Sequence, residues 1–176
     1  MKRSALIDET GAYRYRLDRE LDSGSGRLVF VMLNPSTADG EFDDPTVRKC
    51  IGFATRAGFR HLSIVNLYAF RSTHPAGVWR AFLVGTNVVG PATDDVIDDV
   101  LSQDGPDRRV TVVVAWGAQQ LPDMDERVRR VCALVEKVGR SHTWCLGTTK
   151  SGAPRHPLMV PYRQPFERWL PPLENT

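Results

Sequence analysis

Apolar residues recur along the chain with two different periods, and the switches between them lay out the elements. "GAYRYRLDREL" sets Tyr13, Tyr15 and Leu17 against Arg14, Arg16 and Asp18, the period of two that marks a half-buried strand. "DSGSG" reads as a turn, and "RLVFVML" is an unbroken apolar run, as expected for a strand covered on both faces. "TVRKCIGFATRAG" changes period: Val47, Cys50, Ile51 and Ala54 fall on one helical face, and Gly58 supplies a stop. "HLSIVNLYAF" is a second buried strand, interrupted by Asn66.

"PAGVWRAFL" and "TDDVIDDVLSQ" predict helices, the second with Thr93 as N-cap and acids in its first turn. "RRVTVVVAWG" is the clearest strand and ends at Trp116-Gly117. "DMDERVRRVCALVEKVG" predicts an amphipathic helix with a glycine stop, and "SHTWCLG" a fourth core strand. From Pro154 onward the chain reads as loop with one short helix, and residues from roughly 170 to 176 as a loosely ordered tail. Strands alternating with helices imply right-handed crossovers and a parallel sheet covered on both sides. The expectation is a three-layer α/β/α domain over residues 1–176 with a mainly parallel four-stranded central sheet. The hairpin around Tyr13 adds an antiparallel edge.

Length and composition agree: 176 residues, 41% hydrophobic, fit one domain with a substantial core. No apolar run is long enough to span a membrane. The opening "MKRSALIDETGAYRYRL" has no signal-peptide apolar stretch, so a cytoplasmic protein is expected. Cys50, Cys132 and Cys145 are far apart and form no C-x-x-C pair, which argues against a zinc knuckle or a disulfide framework.

The net charge of +2 is no mark of a nucleic-acid binder, but its distribution is uneven. "VRKCIGFATRAGFRH" carries four Arg or Lys and no acid, whereas "ATDDVIDDVLSQD" and "PDMDE" gather acids. A basic face would suit an anionic partner such as phosphate. Ordinary solvated helix faces account for the same pattern.

Candidate chemistry sits at the strand ends "LNPST", "VNLYAFR", "AWGAQQ" and "LGTTKSGAPRHPL". In a parallel sheet such ends line one edge, so Asn34, Asn66, Trp116 and His156 can converge there. Asparagine carries both a donor and an acceptor, the pattern that reads an amide edge such as that of a pyrimidine. A histidine beside it can donate to a developing oxyanion. Plainer readings exist. Asn-Pro is a common turn opener, and a loop histidine is often a surface residue. Asn66 within an apolar strand is harder to set aside, because an unpartnered buried amide costs about 1–3 kcal/mol.

"LNPSTAD", "DDPTVRKC", "VNLYAFRST", "AWG" and "GTTKSGAPRHPL", in this order, resemble a bacterial and phage family labelled a domain of unknown function. The resemblance runs from "YRYRL" to "PRHPL". More distantly, the same strand ends are similar to the uracil-DNA glycosylase superfamily. "LNPS" resembles the Asn-Pro first motif of its mismatch-specific branch, "VVVAWGAQQ" the strand ending in Trp-Gly, and "RHPLM" the His-Pro last motif.

That second resemblance implies hydrolysis of an N-glycosidic bond, on a modified or mismatched base in DNA or on a free nucleotide, with no cofactor. Asn34 would hold the attacking water, and His156 would stabilise charge on the departing base. Asn66 would read a flipped base, beside Pro35, Ser36, Tyr68 and Trp116. Leu158 and Met159 would wedge into the duplex, and Arg71, Lys150 and Arg155 would hold phosphates.

Other readings stay open. Asp39, Glu41, Asp43 and Asp44 could ligate a divalent metal, although "DDPT" also caps the next helix. A serine hydrolase on Ser36 and His156 lacks G-x-S-x-G and an identifiable acid partner. "GTTKSG" has not the spacing of a phosphate loop. His61, His74 and His142 have no partners at ligand spacing. A non-catalytic nucleic-acid or nucleotide binder using the same crevice is the alternative to an enzyme.

Overall fold

The computed structural model describes residues 1–103, 109–121, 123–139 and 143–170. His142 and residues 171–176, expected to form most of the tail, lie outside them.

The strands are β1 (Lys2–Ile7), β2 (Arg14–Glu20), β3 (Arg27–Met32), β4 (His61–Asn66), β5 (Val110–Val114), β6 (Thr143–Cys145) and β7 (Glu167–Arg168). The helices are α1 (Pro45–Arg56), α2 (Pro75–Leu83), α3 (Thr93–Ser102) and α4 (Met124–Val135). All strands join one sheet in the order β1-β2-β4-β3-β5-β6-β7. The expected four-stranded sheet is thus corrected to a mixed sheet of seven. Neighbours among β4, β3, β5 and β6 are parallel, while β1 and β2 on one side and β7 on the other are antiparallel additions.

The unbroken apolar run of β3 is explained by burial on both faces. Leu28, Phe30 and Met32 join a cluster with Val47, Cys50, Phe53 and Ala54 of α1. Val29, Val31 and Leu33 join the opposite cluster, with Ile97, Val100 and Leu101 of α3 and Val131 and Val135 of α4. The sheet therefore lies between α1 on one face and α3 and α4 on the other.

The first helix begins as its residues dictate. Asp44 is the N-cap and accepts from the Val47 N–H at 2.8 Å, with Pro45 in the first turn. Gly58 follows the helix at φ 77°, a conformation that glycine adopts without penalty. Thr93 was expected to cap α3 and does not. Ala92 occupies that position, and Thr93 is already helical, its hydroxyl donating to the Val89 carbonyl.

The strict alternation read in "YRYRLD" also fails, and the cause is local. Leu6 pairs with Arg16 but Ile7 pairs with Arg14, so Tyr15 is an extra residue in β2, a β-bulge. The bulge turns Arg14 to the side of Leu17 and Arg19, and Arg14 is buried rather than solvated. Arg16 faces the other way and pairs with Asp99 of α3 at 2.9 Å. No helix among the described residues is long and apolar enough to cross a membrane.

Candidate functional site

The chain leaves β3 toward α1 on one face and leaves β5 toward α4 on the other. That reversal between adjacent parallel strands opens a crevice at their carboxyl ends, the place where open α/β sheets hold ligands. A cavity of about 560 Å³ occupies it. Asn34 and Ser36 reach it from the end of β3, Asn66 from the end of β4, and Trp116 from the end of β5. Asp44 and Thr46 close it at the start of α1.

His156 comes from far along the chain, and backbone hydrogen bonds place it. Arg155 donates its N–H to the Gly147 carbonyl at 2.9 Å, and Gly117 donates to the Pro154 carbonyl at 2.9 Å. The loop after β6 is thereby folded back onto the Trp116-Gly117 turn. Gly117 stands at φ 80°, and a Cβ there would meet the His156 Cβ at 3.6 Å, so backbone geometry more than space asks for glycine.

The Asn34 amide is only half free. Its Nδ2 donates to the Pro35 carbonyl at 3.1 Å and the Ser72 carbonyl at 2.9 Å. With both protons committed, it can offer a ligand only its Oδ1 acceptor. Asn66 is the complement. It is 2% exposed, and its buried Nδ2 finds no hydrogen-bond partner. A buried amide donor left over at the wall of a cavity calls for an acceptor on whatever enters.

The His156 Nδ1 accepts from the Leu158 N–H at 3.3 Å, which leaves Nε2 to carry the proton of the neutral ring. Burial holds His156 below its ordinary value of 6.5, and the Asp44 carboxylate pulls the other way. Ser36 lines the same cavity but makes no hydrogen bond to His156 among the described residues, and the histidine Nδ1 is not held by an acid. The orientation a Ser-His hydrolase needs is therefore missing.

Two arginines prove central, one of which, Arg14, the alternation of β2 assigns to solvent. Arg14 lines the cavity at 3% exposure; its Nη1 donates to the Ala38 carbonyl at 2.7 Å, and its Nε has no partner. Burial pulls its guanidinium down to about 10, with Asp44 the main opposing influence. Arg19 is buried beside it. Its Nη2 donates to the Asp39 carbonyl at 2.8 Å and pairs with Asp43 at 2.6 Å. Together they clamp the acidic loop to the sheet and present Asp44 to the cavity.

The acids of that loop have local work. Asp39 accepts from the Glu41 and Phe42 N–H groups, Asp43 pairs with Arg19, and Asp44 caps α1. Among the described residues, no three His, Cys, Asp or Glu side chains are grouped to hold a metal ion.

Of the residues singled out in the sequence, Asn34, Ser36, Asn66, Trp116, Arg155, His156, Leu158 and Met159 line this one cavity. Pro35 does not line it and serves as a backbone acceptor for Asn34 and Ser72. Tyr68 turns away to a second cavity beside Arg127 on the opposite face, where burial pushes its phenol up to about 12. Arg71 ties the β1–β2 turn to the loop after Asn34, donating to the Gly11 and Thr37 carbonyls. Lys150 is exposed and outside the lining. Trp116 packs edge-on against Trp169 at 5.5 Å, which fixes its ring. Arg14, Asp44, Thr46, Gln119 and Thr149 are lining residues that sequence reasoning did not assign to the site.

These features define an open-sheet α/β protein with a ligand-sized crevice at its topological switch point. Within that class, the chain belongs to the family described as protein of unknown function (DUF1643), whose model matches residues 14–158. The matched span runs from the buried arginine of β2 to the turn bearing His156. No curated protein and no solved structure matches the chain.

Proposed function

We propose that the protein is a glycosylase-like hydrolase that cleaves the N-glycosidic bond of a modified or mismatched base, in DNA or in a free nucleotide. The Asn66 amide carries this reading: a buried donor without a partner, at the wall of a cavity whose other asparagine, at the end of the adjacent strand, offers only an acceptor. A base carbonyl would satisfy the Asn66 Nδ2, and a water would donate to the Asn34 Oδ1. Such a water need not be deprotonated in advance if the glycosidic bond is largely broken in an oxocarbenium-like transition state. The C1′–N bond breaks with its electron pair leaving on the base, and the water oxygen forms the new C1′–O bond. The water proton finishes on the departing base. His156, neutral near pH 7, would donate from Nε2 to the base oxygen as charge develops there.

The motif resemblance to the uracil-DNA glycosylase superfamily supports the same reading, including that superfamily's arrangement of the central sheet. A non-catalytic nucleotide or nucleic-acid binder is favoured by one observation. The lining carboxylate, Asp44, spends one oxygen on its helix cap, and Asn34 has no useful proton affinity.

The test is incubation of the protein with DNA duplexes, single strands and free nucleotides carrying uracil, thymine mismatches, or hydroxymethylated or glycosylated bases. Base release is read by chromatography, and abasic sites by alkaline cleavage. Release abolished by Asn34→Ala is the expected result. Binding without release from any substrate would assign the crevice to a binder.

A further inference from the structure

Eleven ion pairs join the described residues, and their basic partners include Arg3, Arg16, Arg19, Arg27, Arg60 and Arg127. The cations around the mouth of the cavity and along the adjoining helix differ. Lys49, Arg56, Lys150, Arg155 and Arg163 form no ion pair with a carboxylate among the described residues. The two chain segments that supply them, 45–56 and 150–163, contain no Asp or Glu. Like charges held together without counter-charges repel one another, so such a strip is favoured chiefly when an anion completes it.

The strip is built, not scattered. The segment after His156 packs along α1, ending with the Tyr162 ring on the helix at Gly52. A Cβ at Gly52 would lie 2.4 Å from that ring, so any larger residue there would push the ring off the helix. Lys49 and Arg56 flank the ring, the Lys49 Nζ 4.0 Å and the Arg56 Cζ 4.9 Å from its centre. Tyr162 also packs on Phe53 at 5.3 Å. Cation–π contact orients both heads while leaving their charge free for a ligand. Between this cluster and the cavity stand Met159, 75% exposed, and Leu158, 45% exposed. Arg155 then reaches the cavity itself. Because both heads sit on the one Tyr162 ring, they lie within about 9 Å of each other, less than three nucleotide rises of one DNA strand and within reach of neighbouring phosphates.

We propose that this strip, from Arg56, Tyr162 and Lys49 past Met159 and Leu158 to Arg155, is a track for the sugar-phosphate backbone of DNA. It rests on the reading of the cavity as a base site, and it makes a polymer, not a free nucleotide, the ligand. The cations hold successive phosphates, and the exposed apolar pair meets the bases beside the one that enters the cavity.

The experiment is fluorescence anisotropy of labelled duplex and single-stranded DNA with the full chain, across a series of salt concentrations. The parent should bind at least one form with a steep salt dependence. The double variant Lys49→Gln, Arg56→Gln should bind more weakly, with a salt slope shallower by about 1.8 on duplex or about 1.4 on single strands for two lost phosphate contacts. Arg129→Gln, on the exposed surface of α4 across the sheet, should bind as the parent does. A parent without salt-sensitive DNA binding overturns the proposal, and so does an unchanged slope in the double variant. Binding to anionic phospholipid vesicles in place of DNA overturns it as well. The outcome is separable from that of the base-release assay. Strip-dependent binding without base release upholds the track and removes the hydrolase, whereas release from a free nucleotide without DNA binding does the reverse.

Discussion

The Asn34 side chain donates from Nδ2 to the Ser72 carbonyl at 2.9 Å, although 38 residues separate them. That bond ties the end of β3 to the loop before α2 and turns the amide so that only an acceptor faces the cavity. Asn34→Asp is therefore not a gain of base. A carboxylate cannot donate, and at neutral pH it would confront the Pro35 and Ser72 carbonyls. We expect Asn34→Asp to cost about 1–3 kcal/mol at pH 7, more than Asn34→Ala costs, and to recover as the pH falls and the acid becomes a donor. The folded-state pKa of the new acid is raised, so its deficit is present above that value and vanishes below the unfolded one. Thermal denaturation of both variants between acid and neutral pH measures this, and a deficit that grows on acidification would contradict the hydrogen-bond assignment.

Asn66 should show the opposite balance of stability and function. Its buried Nδ2 has no partner, so Asn66→Leu removes an unsatisfied donor at similar volume. The variant should match or exceed the parent in Tm while losing ligand binding, the trade expected where a binding site stores polar groups for a partner. A fall in Tm with binding intact would show that Asn66 is structural.

Burial lowers the His156 pKa below 6.5, so the unfolded chain takes up its proton first as the pH falls. The contribution of neutral His156 is full above that value. It is lost progressively as the pH drops toward the folded pKa, where the loss is complete. Subtracting the Tm–pH curve of His156→Gln from that of the parent should isolate a fall that begins near pH 6.5 and ends once the pH has dropped below the lowered folded-state pKa. A flat difference would mean that the ring is solvated.

The Arg19–Asp43 pair is buried, with side-chain exposures of 0% and 9%. Removing Arg19 leaves Asp43 only the more exposed Arg3 at 3.3 Å, so Arg19→Met should cost about 3 kcal/mol by urea denaturation, the low end for a broken buried pair. Pairing it with Asp43→Asn should return part of that loss. Additive single effects in the double-mutant cycle would show that the pair does not organise the loop.

All three cysteines are buried, and burial pushes the thiols of Cys50, Cys132 and Cys145 upward, Cys132 to about 11. None should react with a thiol reagent in the folded protein at neutral pH, and all three should react at once in denaturant. Rapid labelling of one thiol in the native state would place it outside the core described above.

The hydrophobic pattern by itself determined the parallel centre of the sheet and the helices that cover it. Burial on two faces demands unbroken apolar runs, and "RLVFVML", "HLSIVN" and "VTVVV" supply them in adjacent strands. It also placed Asn34, Asn66 and Trp116 at strand ends, because an apolar run that stops at an amide or a glycine turn is legible without coordinates. The sheet edges were not, since β7 has two residues and no period of its own, and the alternation that marked β2 broke at a bulge. That one extra residue decided that Arg14 enters the cavity, where strict alternation puts it in solvent. Sequence distance concealed the rest. Asp44 reads as a helix cap and is one, yet the clamp by Arg14 and Arg19 also makes it a cavity wall. Tyr68, two residues past Asn66, falls on the opposite face because the chain leaves the strand there. Local periodicity reports which face of one element is buried. Which buried polar atoms remain without partners depends on atoms that different elements bring together, and only the tertiary structure could decide that.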